Sequence, residues 1–230
     1  MKAYENQDKL LVAVDCIIFG FDQDGLKLLI IKRDFEPQKG NWSLMGGFVK
    51  KDESVDQSAD RILHELTGLE DVYLEQLHCF SGIERDPAER TISLAYTALI
   101  NIEEHNSELS SGHGASWFPV NEIPELIFDH HMMVSKAKER LKYRAANFPV
   151  GFELLPQKFT MPQLQSLYEA IFETRMDKRN FIRRIEKLDI LVKLNEKTAG
   201  SGTKKAFLYR FDKEKYLEGA KAGNKFMIKS

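Results

Sequence analysis

Cysteine is nearly absent: Cys16 and Cys79 are the only two among 230 residues, and both sit in apolar contexts, DCIIF and LHCFS. Two such residues make neither a disulfide framework nor a metal-ligand spacing, so the expectation is a pair of buried thiols in a reducing compartment. No apolar run approaches the roughly 20 residues that a membrane-spanning helix needs, which argues against a membrane protein. Met1–Lys9 is polar and charged, unlike a secretion signal, so a cytoplasmic location is expected. Internal repeats and low-complexity tracts are missing too, which removes solenoids and fibrous classes. There is no glycine-rich phosphate cradle beyond Gly46-Gly47 and no RNP-like aromatic motif, so an RNA-binding adaptor is a weak reading.

What remains is an ordinary globular composition, 43% hydrophobic and 30% charged, in a chain long enough for one large or two modest domains. A net charge of −2 hides a division. Residues 1–155 hold 16 Lys and Arg against 26 Asp and Glu, a balance of −10, whereas residues 156–230 hold 17 against 9, a balance of +8. An acidic first part joined to a basic last part implies two tasks, one of them involving an anionic polymer.

Leu10–Phe21 is apolar and β-branched, the pattern of a buried strand. Asp22–Gly25 is a turn signal, and Leu26–Arg33 reads as the return strand. Asp15 is a charge inside the first strand, costly unless it is paired, faces water at an edge or faces a pocket. The neighbouring Lys32, Arg33 and Asp34 favour the pocket. Val72–Ser81 and Thr91–Ile102 read as further strands, and His130-His131 open a helix running to about Ala146, where they read as a capping pair without chemistry.

Gly46–Leu69 reads as a strand-end Gly-Gly, a loop carrying Glu53, and an amphipathic helix stopped by Gly68. The spacing resembles the Nudix box: Gly47, Glu53, Arg61, Leu63, Glu65, Gly68 and Leu69 fall on its pattern, while Ile62 and Leu66 stand where the family has glutamates. Nudix enzymes use those glutamates to hold magnesium on a diphosphate, and magnesium demands oxygen ligands. Ile62 and Leu66 instead extend the apolar stripe Ala59, Ile62, Leu63 and Leu66, so the resemblance implies the fold without the metal site. The alternative is an active hydrolase of ADP-ribose or a related sugar nucleotide that recruits acids such as Glu84 or Asp86. RDPAER…ISLAYTALI, WFPVNEIPEL and FDHH resemble the Nudix branch that handles ADP-ribose-like nucleotides.

Phe148–Lys158 has two prolines and a glycine, no helical pattern, and lies where the charge balance turns, which suggests a boundary: 1–148, a linker at 149–155, and 156–230. Beyond it, Thr160-Met161-Pro162-Gln163 has the form of a capping box. Leu164, Leu167, Tyr168 and Ile171 form an apolar helix face, TRMD makes a break, and Asp177 can cap a second helix, Lys178–Leu188. That second helix sets Phe181, Ile185 and Leu188 on one face and basic residues on the others. Ile190–Leu194 and Ala206–Phe211 read as short strands around the basic loop Asn195–Lys205. A capped helix, a short turn, a basic second helix and a basic β-hairpin together describe a winged helix-turn-helix.

FTMPQLQSLYEAIF, DKRNFIRRI and KKAFLYRF extend the resemblance to the Nudix-related transcriptional regulators of the NrtR and AraR kind, across essentially the whole chain. The fold class expected is therefore α+β, a Nudix-like α/β/α sandwich with a mixed sheet followed by a winged helix. The function implied is a homodimeric, ligand-responsive regulator, a repressor of pentose use or NAD metabolism, with no catalytic residues, no metal and no cofactor. Its partners would be a pseudopalindromic double-stranded DNA operator and a small effector, whether a sugar, a sugar phosphate or an ADP-ribose-like nucleotide. Asp15, Lys32, Asp34, Trp42 and Glu65 are the candidate effector residues. Lys178, Arg179, Asn180, Arg183, Arg184 and Lys187 on the second helix, with Thr203, Lys204 and Lys205 on the wing, are the candidate DNA contacts.

Overall fold

The structure is a computed structural model that describes residues 4, 6–70, 72–103, 114–198 and 205–228. It divides into two compact units. The first gathers the chain to Phe19, Leu28–Ala98 and the stretch ending at Ala137; the second gathers Gly20–Lys27, the stretch from Leu99 to Asn106, and everything from Lys138 onward.

The first unit is built around a seven-stranded sheet. Strand β1 (Leu11–Asp22) and β2 (Gly25–Lys32) form the hairpin expected from the Asp-Gly turn. Next come β3 (Trp42–Ser43), β4 (Met45–Phe48), β5 (Glu75–Phe80), β6 (Thr91–Asn101) and β7 (Ala115–Pro119). The strand order is β3-β2-β1-β6-β5, with β4 added to β1 and β7 to β2. Val14 through Phe19 are fully or nearly fully buried on both faces, because β1 is central and covered on each side. The fifth strand is shorter than Val72–Ser81, and Cys79 on it is exposed rather than buried; only Cys16 is a core thiol. An edge position on β5 explains this, since an edge strand in this order has cover on fewer sides.

Helix α1 (Val55–Thr67) begins at the Ser54/Gln57 capping box and ends at Gly68 in the left-handed conformation. It buries Ala59, Ile62 and Leu63. The Ile62 side chain approaches Gly47 so closely that a β-carbon there would lie 3.0 Å from its Cδ1. Burying an isoleucine contributes about 1.5–3 kcal/mol, so Ile62 is held as core. Helix α2 (His130–Asn147) follows, and the division between the two units falls within it.

In the second unit, Pro149–Leu154 forms a 3-10 turn, where the sequence suggests a linker with no helical pattern. Proline in its first turn accounts for this, since its fixed φ is already near helical. Helix α3 (Met161–Phe172) starts from Thr160, whose hydroxyl accepts from Gln163 N–H while Gln163 Oε1 accepts from Thr160 N–H. Helix α4 (Lys178–Lys187) starts at Asp177 and buries Phe181 and Ile185. A three-stranded sheet in the order β8 (Phe159–Thr160), β10 (Phe207–Phe211), β9 (Leu191–Lys197) completes the winged helix, and α5 (Lys213–Lys221), not legible in the sequence pattern, follows it. No helix among the described residues is long and apolar enough to cross a membrane.

Candidate functional site

Two regions concentrate chemistry. The first surrounds Asp15, which is only 5% exposed. Its Oδ2 accepts from Ser93 Oγ at 2.6 Å and lies 3.6 Å from Arg85 Nη2. Its Oδ1 faces His130 Nε2 at 3.5 Å. Gly46 is required opposite it: a β-carbon there would lie 2.2 Å from Asp15 Oδ1. Arg85 is buried and pairs with Asp129 through two bonds, at 3.1 and 2.8 Å. His130 Nδ1 accepts the Leu44 N–H at 3.2 Å, which leaves the ring proton on Nε2, toward Asp15. Burial lowers the His130 pKa from its ordinary 6.5, against the upward pull of Asp15. The capping-pair reading of His130 is therefore corrected: the ring is a member of a buried polar network, and only His131 is exposed. A sequence pattern cannot show this, because the network joins four separate elements.

This network floors a cavity of about 40 Å³ lined among others by Asp15, Arg33, Phe35, Phe48, Asp86 and Phe128. Arg33 sits at the end of β2, its backbone tied to Asn41 and Gly40 at 2.9 and 2.7 Å. Its guanidinium lies 3.6 Å from the Phe35 ring centroid and 5.5 Å from that of Phe128. Asp15 is the one expected effector residue that lines the cavity. Lys32 and Trp42 lie opposite each other on β2 and β3, with the Lys32 ammonium 5.2 Å from the Trp42 ring. Trp42 also packs edge-on against Phe118 at 4.9 Å. Asp34 is exposed, and Glu65 is exposed on α1. Arg33, Phe35, Arg85, Phe128 and His130 were not among the residues expected from sequence; the charge of Arg33 beside Asp15 was the available signal.

The box itself does not fit a magnesium ion. Arg61 occupies the space between its two remaining carboxylates, bonding Glu53 at 2.8 and 2.6 Å and Glu65 at 3.0 Å. Arg61 and the Lys50 N–H together hold the Glu53 carboxyl down to about 2. Ile62 is core, and no cluster of three or more potential ligands occurs among the described residues.

The second region is α4. Lys178, Arg179, Asn180, Arg183, Arg184 and Lys187 are all exposed. Arg183 Nη2 donates to Asn180 Oδ1 at 3.2 Å, so these two share a face. Arg184 instead donates to the Ile228 carbonyl, which ties it to the C-terminal segment. The turn before α4 is fixed by Glu169, whose carboxylate accepts from Met176 N–H at 2.8 Å and Gln165 at 3.0 Å. Glu173, the left-handed cap of α3, pairs with both Lys138 and Lys142 at 2.6 Å. On the wing, Lys193 and Lys197 flank the Phe207 ring at 3.9 and 4.6 Å, and Lys205 is exposed. Thr203 and Lys204 lie outside the described residues.

Comparison with known proteins matches residues 9–139 to the NUDIX domain family and residues 151–211 to the NrtR DNA-binding winged helix domain. The ADPR responsive transcriptional repressor NtrR of Acinetobacter baylyi is 33% identical over 210 residues, 90% of this chain and 84% of that one. The crystal structure of Shewanella oneidensis NrtR complexed with a 27mer DNA is similar with a TM-score of 0.78 at 30% identity, covering 94% of this chain and 97% of the other. The NUDIX domain of the same Shewanella protein complexed with ADP ribose matches with a TM-score of 0.50 at 32% identity, over 59% of this chain and 90% of that one.

Proposed function

This chain belongs to the NrtR-like family of Nudix-related regulators, and from that premise we propose that it is a transcriptional repressor whose Nudix domain senses ADP-ribose or a close nucleotide relative. The observation that carries the reading is the pairing of an exposed basic helix in a winged helix with a Nudix box in which two metal positions, Ile62 and Leu66, are hydrocarbon. The first has the means to bind DNA; the second retains a ligand fold without the means to hold magnesium. The ADP-ribose named for two of the relatives favours a nucleotide over a pentose and NAD metabolism over sugar use. The pentose reading draws no support from them. The chain works in the cytoplasm, with the DNA that it reads, and as a homodimer.

The Nudix unit is a sensor and not an enzyme. A ligand switches DNA affinity only through unequal affinity for the DNA-bound and free forms, so ADP-ribose must bind the free form more tightly. The test is fluorescence anisotropy on operator duplex with and without ADP-ribose, beside an assay for ADP-ribose hydrolysis in magnesium or manganese. DNA release without turnover is the expected result. Turnover abolished by Glu65→Gln would replace the sensor with the hydrolase.

A further inference from the structure

A diphosphate carries two negative charges into its site, and in a Nudix fold they are ordinarily met by divalent metal. Here that counter-charge must come from elsewhere, because Arg61 fills the space between Glu53 and Glu65 and Ile62 is core. Of the cationic side chains in or near the box and the cavity, Lys50 and Lys51 are exposed on the box loop and do not line the cavity, and three more have their charge answered or point away. Arg61 is paired with two carboxylates. Arg85 is paired with Asp129 and lies 3.6 Å from Asp15. Lys32 is exposed over Trp42 and does not line the cavity.

Arg33 lines the cavity and is the one that remains. Its Nε donates to the Phe35 carbonyl at 3.1 Å, which fixes the plane of the guanidinium and leaves both terminal nitrogens uncommitted. No carboxylate among the described residues is within ion-pairing distance of it; burial lowers its pKa, against the upward pull of Asp86, Asp15, Asp34 and Glu36. The Phe35 and Phe128 rings flank it, and Phe128 holds a left-handed backbone, φ 51°, that a phenylalanine rarely adopts. A backbone held in that region is strained, and such strain concentrates at ligand clamps. An oriented, part-buried and unpaired guanidinium has the geometry for two parallel bonds to a phosphate.

Resting on the sensor reading above, we propose that Arg33 replaces the metal as the counter-charge for the effector's diphosphate, so that ADP-ribose binds without any divalent ion. The cavity of about 40 Å³ is far smaller than a nucleotide, so Phe35, exposed at its rim, swings aside as the ligand enters while Arg33 stays anchored by its backbone.

The experiment is calorimetric titration of the full chain with ADP-ribose, ADP and NAD, in magnesium and in EDTA, for the parent, Arg33→Gln and Arg33→Lys. Parent affinity for ADP-ribose should be equal in the two buffers. Arg33→Gln should bind roughly 10- to 100-fold more weakly, the loss of one or two charge-assisted bonds. Arg33→Lys should fall between, since it keeps the charge without the planar fork. A single cooperative melting transition in both variants, close to the parent's, verifies that they fold. The inference is overturned if EDTA abolishes parent binding, or if Arg33→Gln binds within twofold of the parent. A parent that binds none of the three nucleotides in either buffer overturns the sensor reading itself, and this inference with it.

Discussion

His130 enters the fold as a neutral ring: its Nδ1 accepts from Leu44, and burial disfavours a second proton. The groups facing it are Asp15, Asp129, Arg85 and Arg33, two of each sign, so desolvation decides the direction. The consequence for stability follows from that direction. Below the ordinary value of 6.5 the unfolded chain takes up a proton that the folded chain refuses. Stability therefore falls as pH drops from 6.5 to the lowered folded value, then stops falling on this account. Urea unfolding of parent and His130→Gln at pH 5, 6, 7 and 8 checks it, with the parent losing more between about pH 7 and about pH 5 than the variant. Parallel curves would mean that the ring takes its proton freely in the folded protein. The Asp15 network was half legible in the sequence: a charge within an apolar strand demands a partner. Which partners answer it was not, because Ser93, Arg85 and His130 are 78, 70 and 115 residues away along the chain.

At the scale of elements, α4 is the most legible piece of the chain. Its cap, its apolar face and its basic face all follow from a 3.6-residue period and one aspartate, and the structure places each as expected. Within the helix the basic residues separate into kinds. Arg179 and Arg183 are exposed near the N-terminal half, with Arg183 oriented by Asn180. Lys187 is exposed in the last turn, and Arg184 is held by Ile228. Truncating Arg179 or Arg183 to alanine should cost about 1–3 kcal/mol on operator DNA and relax base preference at one position. Lys187→Ala should weaken operator and scrambled duplexes alike and shallow the salt slope by about one unit. Arg184→Ala should lower the melting temperature more than it changes DNA affinity. Anisotropy titrations at several salt concentrations separate these outcomes; full specificity in both Arg179→Ala and Arg183→Ala would move the reading surface off α4.

Across the whole molecule, the charge division sets the salt dependence of DNA binding. A balance of +8 in residues 156–230, against −10 before them, confines phosphate attraction to the winged helix. Two copies of the chain on one operator should protect two half-sites about one helical turn, or a multiple, apart. Contacts with roughly 6–10 phosphates would lower affinity by about 10³ or more between 50 and 200 mM salt. Sedimentation of the free chain and footprinting on the operator check both parts. A monomer protecting a single half-site would remove the pseudopalindrome from the reading.

The sequence by itself determined what depends on neighbours along the chain. The hairpin turn at Asp22–Gly25, the capping box at Thr160, the stop at Gly68 and the two faces of α4 are local and periodic, and each was legible, whereas the capping box at Ser54 was not read from the sequence. The loss of two box glutamates was legible as well, because the spacing is fixed within one loop and one helix. Only the tertiary structure decided that Arg61 takes the place between the remaining carboxylates, that Cys79 is exposed, and that Pro149–Leu154 is a turn of helix. It alone showed that Arg33 stands unpaired between two rings while Arg85 does not. The reason is common to these cases: a salt bridge, an edge position or a stacked ring depends on which distant segments the sheet brings side by side, and no period in the chain records that pairing.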